Sequence, residues 1–477
     1  MLKRSSIYIL ILTILSLSGC KVAPITETEK PHLPTTFDGI NAEMRAEAPE
    51  LFEEFFPDVL LQGYIKQAIA SNHSFRQTVE QIAFAKANQK RAKGAMFPEI
   101  SVGVGANVRR FGDLTMDGIG NKQANEAIPS TEKKIPDPYS DYIMGVNFSW
   151  EPDIYGKQNR KRQAANLRWM ATVEATRYAQ TLLVAEVATA YFNLIGLDRR
   201  TQVLKRAIQE TSHSLTLTRE LKNEGIETQL AVDQFQTRLL MLEGLLLHNQ
   251  EETKIQEHAF ALLLGVLPFK VERIEFEQVN KLIFPMKTGI PTDLLTNRPD
   301  VKKAELELIA SKLDVSSARA SFYPSLVLGG SGGLNSFDIA SWFSAPASAV
   351  YNLAAGVTAP IFKQGQIKAM YNDAKTSQRI SLSKYHEVAL KAYTEVIDCI
   401  LISEYAMQQL KLKEEEKKIQ QRSLQNADEL FKLGYIGYLE VLDVVQSYLS
   451  AELDYIDITK RVCLNQVLLY RALGGGA

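Results

Sequence analysis

The chain repeats itself, and the repeat bounds what it can fold into. Asn72-His73-Ser74-Phe75 corresponds to Arg298-Pro299-Asp300-Val301 at an offset of 226 residues, and Met96-Phe97-Pro98 corresponds to Phe322-Tyr323-Pro324 at the same offset. Further on, Gly156 corresponds to Gly365 and Gly225 to Gly434, both at 209. The drop from 226 to 209 leaves the first half 17 residues longer, between its two candidate strands. Offsets held over such a length mark a duplicated unit, so what one half builds the other builds too.

Each unit carries a pair of alternating segments. Ile100, Val102, Val104, Ala106 and Val108 alternate with Ser101, Gly103, Gly105 and Asn107. Tyr142, Met144, Val146, Phe148 and Trp150 alternate with Gly145, Asn147 and Ser149. In the second half, Leu326, Leu328 and Leu334 alternate with Gly329, Ser331 and Gly333, and Tyr351, Leu353 and Val357 with Asn352, Gly356 and Thr358. A period of two places one set on each face of a sheet. Runs of about ten residues are long enough to cross a bilayer as tilted strands. A hairpin lying with one face on a protein core is the other reading of such a segment. Four strands do not close a barrel, for which about eight is the smallest useful number, and an open sheet edge does not face lipid. If these strands span a membrane, several chains build one barrel.

The rest of the pattern is helical. Residues 59–94 recur at helical spacing until Phe97-Pro98. Leu204, Ile208, Thr211, Leu215 and Thr218 form a heptad seam up to Gly225, and Val232, Phe235, Leu239, Leu242, Leu246 and Asn249 continue it beyond. Val441, Val444, Tyr448, Ala451, Tyr455 and Ile458 form the matching run after Gly434. Gly225 and Gly434 are thus the turns of two helical hairpins. The fold class is mixed and predominantly α: two tandem repeats of helix, strand pair and long helical hairpin.

A net charge of -1 makes no electrostatic case for nucleic acid. Three cysteines are not a disulfide framework, and six histidines show no metal-ligand spacing. No acid/base, nucleophile or metal constellation points to an enzyme, and no cofactor is expected. Residues 1–19 read as a signal peptide, with Lys3 and Arg4 before an apolar run from Ile7 to Leu17. Leu17-Ser18-Gly19-Cys20 resembles a bacterial lipobox, which implies that Cys20 becomes the lipidated first residue. A plain signal peptide is the alternative. Lys21, where an inner-membrane retention signal has Asp, implies the outer membrane.

Leu294-Leu295-Thr296-Asn297-Arg298-Pro299-Asp300-Val301 and the ending Leu469-Tyr470-Arg471-Ala472-Leu473-Gly474-Gly475-Gly476 complete the pattern. With the duplication and the lipobox, they make the chain resemble the TolC-type outer-membrane factors, in their lipoprotein (OprM/NodT-like) branch. The resemblance divides the chain into signal peptide 1–19, lipidated tether 20–58, repeat one 59–268 (strands about 99–110 and 141–150), connector 269–293 and repeat two 294–477 (strands about 325–334 and 350–360). It implies a homotrimer with a twelve-stranded outer-membrane β-barrel continuous with a periplasmic α-helical barrel. The partners implied are a periplasmic adaptor, an inner-membrane pump of the resistance-nodulation-division type and outer-membrane lipid. The function implied is a passive duct exporting drugs or other small solutes as part of a tripartite efflux pump. A type I secretion channel and a periplasmic adaptor lipoprotein are the alternatives. The loop from Phe111 to Asp141 is expected to be polar and to face outside the cell, and Gly225 and Gly434 to mark the periplasmic tip. In channels of this family an apolar and an acidic ring constrict the tunnel near that tip, which points to Leu439 and Asp443 as gate residues. They stand four apart, on one helical face. The bland alternative is that Asp443 is solvated on the outside of a coiled coil.

Overall fold

The computed structural model describes residues 52–129, 132–283 and 297–475. Cys20, the signal peptide, nearly all of the tether and part of the connector lie outside the described residues, as do Leu294, Leu295 and Thr296 of the second-repeat motif and Gly476 of the C-terminal one. In chain order the elements are α1 (Phe52–Phe55), α2 (Val59–Ser71), α3 (His73–Gly94), β1 (Glu99–Arg109), α4 (Met116–Ala127), β2 (Tyr139–Trp150), α5 (Lys157–Asn223) and α6 (Gln229–Leu263). After the short α7 (Phe276–Val279) come α8 (Pro299–Ala320), β3 (Ser325–Ser336), β4 (Ala349–Thr358), α9 (Gln366–Lys432) and α10 (Tyr438–Ala472). The two halves follow one plan down to helix length: α5 and α9 have 67 residues each, α6 and α10 have 35 each. At 1.5 Å per residue the longer pair each run about 100 Å.

The described residues group into two compact units. The first contains 85–168 and 308–381, the second 52–84, 169–283, 297–307 and 382–475.

In the first unit all four strands form one antiparallel sheet in the order β1-β2-β3-β4. Its register carries the alternation of each strand onto common faces. Ile100, Phe148, Gly330 and Leu353 share one row, and Val102, Val146, Gly332 and Tyr351 another, all on the apolar face. Ser101, Asn147, Ser331 and Asn352 form a row on the other face, flanked by Gly103, Gly145 and Gly333. Two glycines of β3, Gly330 and Gly333, serve close approach. A Cβ at Gly330 would run into the Phe148 ring, which covers that position, and one at Gly333 would overlap the Met144 carbonyl. At one end of the sheet, Trp150 donates to the Met96 carbonyl at 3.1 Å, Ser317 donates to the Lys157 carbonyl at 3.0 Å, and Arg168 pairs with Asp314.

At the other end the expectation of a polar loop after Phe111 needs correcting. Residues 116–127 form α4, capped by Thr115, whose hydroxyl accepts the Gly118 N–H at 3.2 Å. The Asn125 side chain then clasps both the N–H and the C=O of Ile135. Five of its twelve residues are Gly, Asn or Asp, poor helix formers. Its support is the cap and the Asn125 clasp, neither of which is periodic in sequence.

The second unit is built on the heptad seams. Leu204, Thr211, Leu215 and Thr218 of α5 and Val232, Phe235, Leu242 and Asn249 of α6 are buried, with Ile208, Leu239 and Leu246 half-buried. The region expected to be helical over 59–94 is interrupted at Asn72, whose ψ of 120° turns the chain. Its side chain accepts from the Phe75 N–H at 2.8 Å, capping the start of α3, and donates to the Leu263 carbonyl at 2.9 Å, at the end of α6. The core gathers Phe55, Phe56, Leu61, Tyr191, Phe260 and Tyr470 among others.

Candidate functional site

A channel's working surfaces are its strand faces, its free edges and its narrow places. Among the described residues β1 and β4 each pair with one strand, so each presents an unpaired edge. Strands of 10 to 12 residues, at about 3.4 Å per residue and tilted by about 40°, cover roughly the 25 Å apolar band of an outer-membrane barrel. The face holding Ile100, Val102, Val146 and Leu353 suits hydrocarbon. The Ser101–Asn147–Ser331–Asn352 row presents hydroxyl and amide groups, which suit a wet lumen.

The hairpin turns are two copies of one device. Gly225 has φ +80° and Gly434 φ +73°, the left-handed region open to glycine. Ile226 N–H bonds the Leu221 carbonyl at 2.9 Å and Gly225 N–H that of Lys222 at 3.0 Å. Tyr435 with Leu430, at 2.9 Å, and Gly434 with Phe431, at 3.0 Å, repeat the pattern. These are Schellman closures. Leu215, Val232 and Phe235 from one hairpin pack with Phe431, Val441 and Val445 from the other, which brings the two tips together. Leu439 and Asp443 lie between these buried positions in sequence and on the opposite, exposed side of α10, Leu439 being 58% exposed. Gln446, one turn further, is exposed too.

Sequence reasoning missed the buried ionic groups. Arg298, 1% exposed, donates to both Asp300 oxygens, to Glu395 at 2.8 Å and to the Ala472 carbonyl at 2.9 Å. Burial alone would lower the pKa of its guanidinium. The bonds to Asp300 and Glu395 outweigh that and leave it raised. Arg273, half-buried, bridges Asp198 and Glu257. Glu452, at 3% exposure, faces Arg199 at 3.4 Å and Lys417 at 4.0 Å. The Arg298-Pro299-Asp300 motif holds two members of one group, but Glu395 and the Ala472 carbonyl lie 97 and 174 residues away from Arg298. Among the described residues, no three His, Cys, Asp or Glu side chains are grouped to hold a metal ion.

Comparison with known proteins agrees with this architecture. The model of the Outer membrane efflux protein family matches residues 64–266 and 290–475. The cation efflux system protein CusC of Escherichia coli K12 is 25% identical over 470 residues, covering 97% of either chain. The probable outer membrane lipoprotein SilC of Salmonella typhimurium is 24% identical over 473 residues, again covering 97% of each. Among solved structures, the CmeC outer membrane channel of Campylobacter jejuni superposes with a TM-score of 0.83 at 19% identity, covering 96% of this chain and 95% of that one. The chain belongs to the outer membrane efflux protein family. It is the outer-membrane channel component of an efflux pump, extends into the periplasm, and is not an enzyme.

Proposed function

We propose that three copies of this chain close one twelve-stranded barrel, β4 of each copy pairing with β1 of the next. The observation that carries this is the four-stranded sheet with two free edges and one apolar face running across all four strands. A lone sheet of this kind would leave unpaired backbone groups in hydrocarbon, each costing several kcal/mol. The long hairpins then form the periplasmic tunnel, with Gly225 and Gly434 at the tip that meets a periplasmic adaptor and an inner-membrane pump, of resistance-nodulation-division type. Cys20 carries the lipid, as the name of SilC suggests for that relative. The lipid adds an anchor worth about 0.8 kcal/mol per buried methylene. The cargo is drugs or other small solutes, handed over by the pump, since a polar-lined duct offers no selective pocket of its own. Leu439 and Asp443 form the periplasmic gate, an apolar ring one turn from an acidic one.

Crosslinking and native mass of detergent-extracted membranes test the assembly; trimers are expected, and monomers alone would overturn it. The topology is tested with Lys134→Cys, since Cys399 and Cys463 are buried. A membrane-impermeant maleimide should label it on intact cells, whereas labelling only after permeabilisation would place that loop in the periplasm.

A further inference from the structure

A cavity of about 550 Å3 opens at the end of the sheet where the strands meet the helices, between the β2–α5 turn, the α8–β3 turn and the start of α9. That volume lies in the range of small-molecule sites, about 300–1,000 Å3. Ile154, Ile367 and Met370 give it apolar walls, and Tyr155 and Tyr323, also in its lining, stack on each other with ring centres 5.0 Å apart. Most of its charged groups are already engaged. Glu151 pairs with Lys157 at 3.6 Å, and Asp314 pairs with Arg168. Both Asp153 oxygens accept backbone N–H groups at the start of α5, from Gln158 at 3.0 Å and Asn159 at 2.7 Å. Lys161 and Lys363 remain, both exposed and without an ion-pair partner among the described residues. Backbone bonds satisfy Asp153 without neutralising it, so with Arg168 counted the ionic groups at the cavity are three carboxylates against four cations, a net charge of +1, with both ammonium groups free to take a ligand.

The two repeats diverge at this place. The first enters its long helix through Pro152-Asp153-Ile154, with Asp153 as cap. At the offset of 209 the second has Ile361-Phe362-Lys363. The capping carboxylate is gone, and Ile361 and Phe362 stand 97% and 82% exposed. An aliphatic and an aromatic side chain followed by lysine suit a membrane–water boundary, with the apolar groups among acyl chains and the ammonium among phosphates.

We propose that this cavity binds an anionic phospholipid. The free ammonium groups of Lys161 and Lys363 take its phosphate, and Ile367, Met370 and the Tyr155–Tyr323 stack take its glycerol and upper acyl carbons. The proposed topology enters only in saying which leaflet supplies the lipid, the periplasmic one; binding in detergent does not depend on it. Native mass spectrometry of the full-length protein, titrated with phosphatidylglycerol or with phosphatidylcholine, tests the site. Up to one phosphatidylglycerol per chain should be retained, about tenfold in preference to phosphatidylcholine, whose choline cation cancels the charge of the same phosphate, since each lysine near a net anionic lipid contributes on the order of 1 kcal/mol. Lys161→Gln with Lys363→Gln should reduce phosphatidylglycerol to the phosphatidylcholine level. Ala374→Trp, which keeps both lysines and fills the cavity, should reduce both. Oligomer masses in the same spectra report whether the variants assemble. Equal retention of the two lipids, or wild-type retention in either variant, would overturn the proposal. So would displacement of the lipid by millimolar inorganic phosphate, which would mark a site for free anions. No retained lipid at all, as when a neighbouring copy fills the cavity, would overturn it as well.

Discussion

The guanidinium of Arg298 holds the start of the second repeat to the end of the chain. It binds Asp300, two residues on, together with Glu395 of α9 and the carbonyl of Ala472, the last residue of α10. Removing one partner from a buried ionic group leaves the others unpaired, at a cost of about 3–5 kcal/mol. Arg298→Ala should therefore lower the melting temperature of the assembled protein clearly. Arg298→Lys should rescue little of the loss, since one ammonium does not reproduce a fork reaching two carboxylates. Glu257 adds a pH dependence. Burial by itself raises its pKa, but hydrogen bonds from Lys254 and Arg273 prevail and hold it below the usual value. A carboxylate depressed in the folded state stabilises the protein above its unfolded value, about 4.3. That stabilisation is lost as pH falls through the lower native value. Melting followed below pH 5 should show a steeper loss for the native protein than for Glu257→Gln, which titrates no proton there. At the proposed gate, Leu439→Ser, and more weakly Asp443→Ala, should raise single-channel conductance in planar bilayers and admit large antibiotics such as vancomycin, with the trimer intact. Unchanged conductance in both variants would put the constriction elsewhere.

At the scale of elements, the repeats have kept their geometry and exchanged their chemistry. Both hairpins turn through a left-handed glycine, but α6 starts on Thr228, whose hydroxyl accepts the Ala231 N–H at 3.2 Å, while α10 starts on Gly437 without a side-chain cap. Thr228→Ala should loosen the first tip by about 1 kcal/mol, and Gly437→Ser should tighten the second by a few tenths. Hydrogen exchange of the first turns of α6 and α10 reads both. The strands were legible because membrane-crossing sheet imposes a strict period of two. Observed β1 and β3 start where the alternation starts, and the register unites the four patterns on one face. Helix α4 was not legible, because its stability comes from a cap and from the Asn125 clasp ten residues away.

For the whole molecule, the proposed trimer predicts that disturbing one sheet disturbs assembly. Gly333→Val should drive a side chain into the Met144 carbonyl, separate β2 from β3, and leave monomers in detergent extracts. What the sequence settled without help is periodic or repeated: the duplication, the strand alternation, the heptad seams and the turn glycines. Such features follow from local geometry, in which a residue's face depends only on its spacing from its neighbours. What waited for the tertiary structure is pairing over distance. It includes the strand order with β2 beside β3 across nearly two hundred residues, Arg298 meeting Glu395, Arg273 meeting Asp198 and Glu257, and the cavity where, among the described residues, Lys161 and Lys363 stand without an ion-pair partner. A buried charge needs a partner, but spacing along the chain does not say which, because the partner is chosen by how helices from distant parts of the sequence pack.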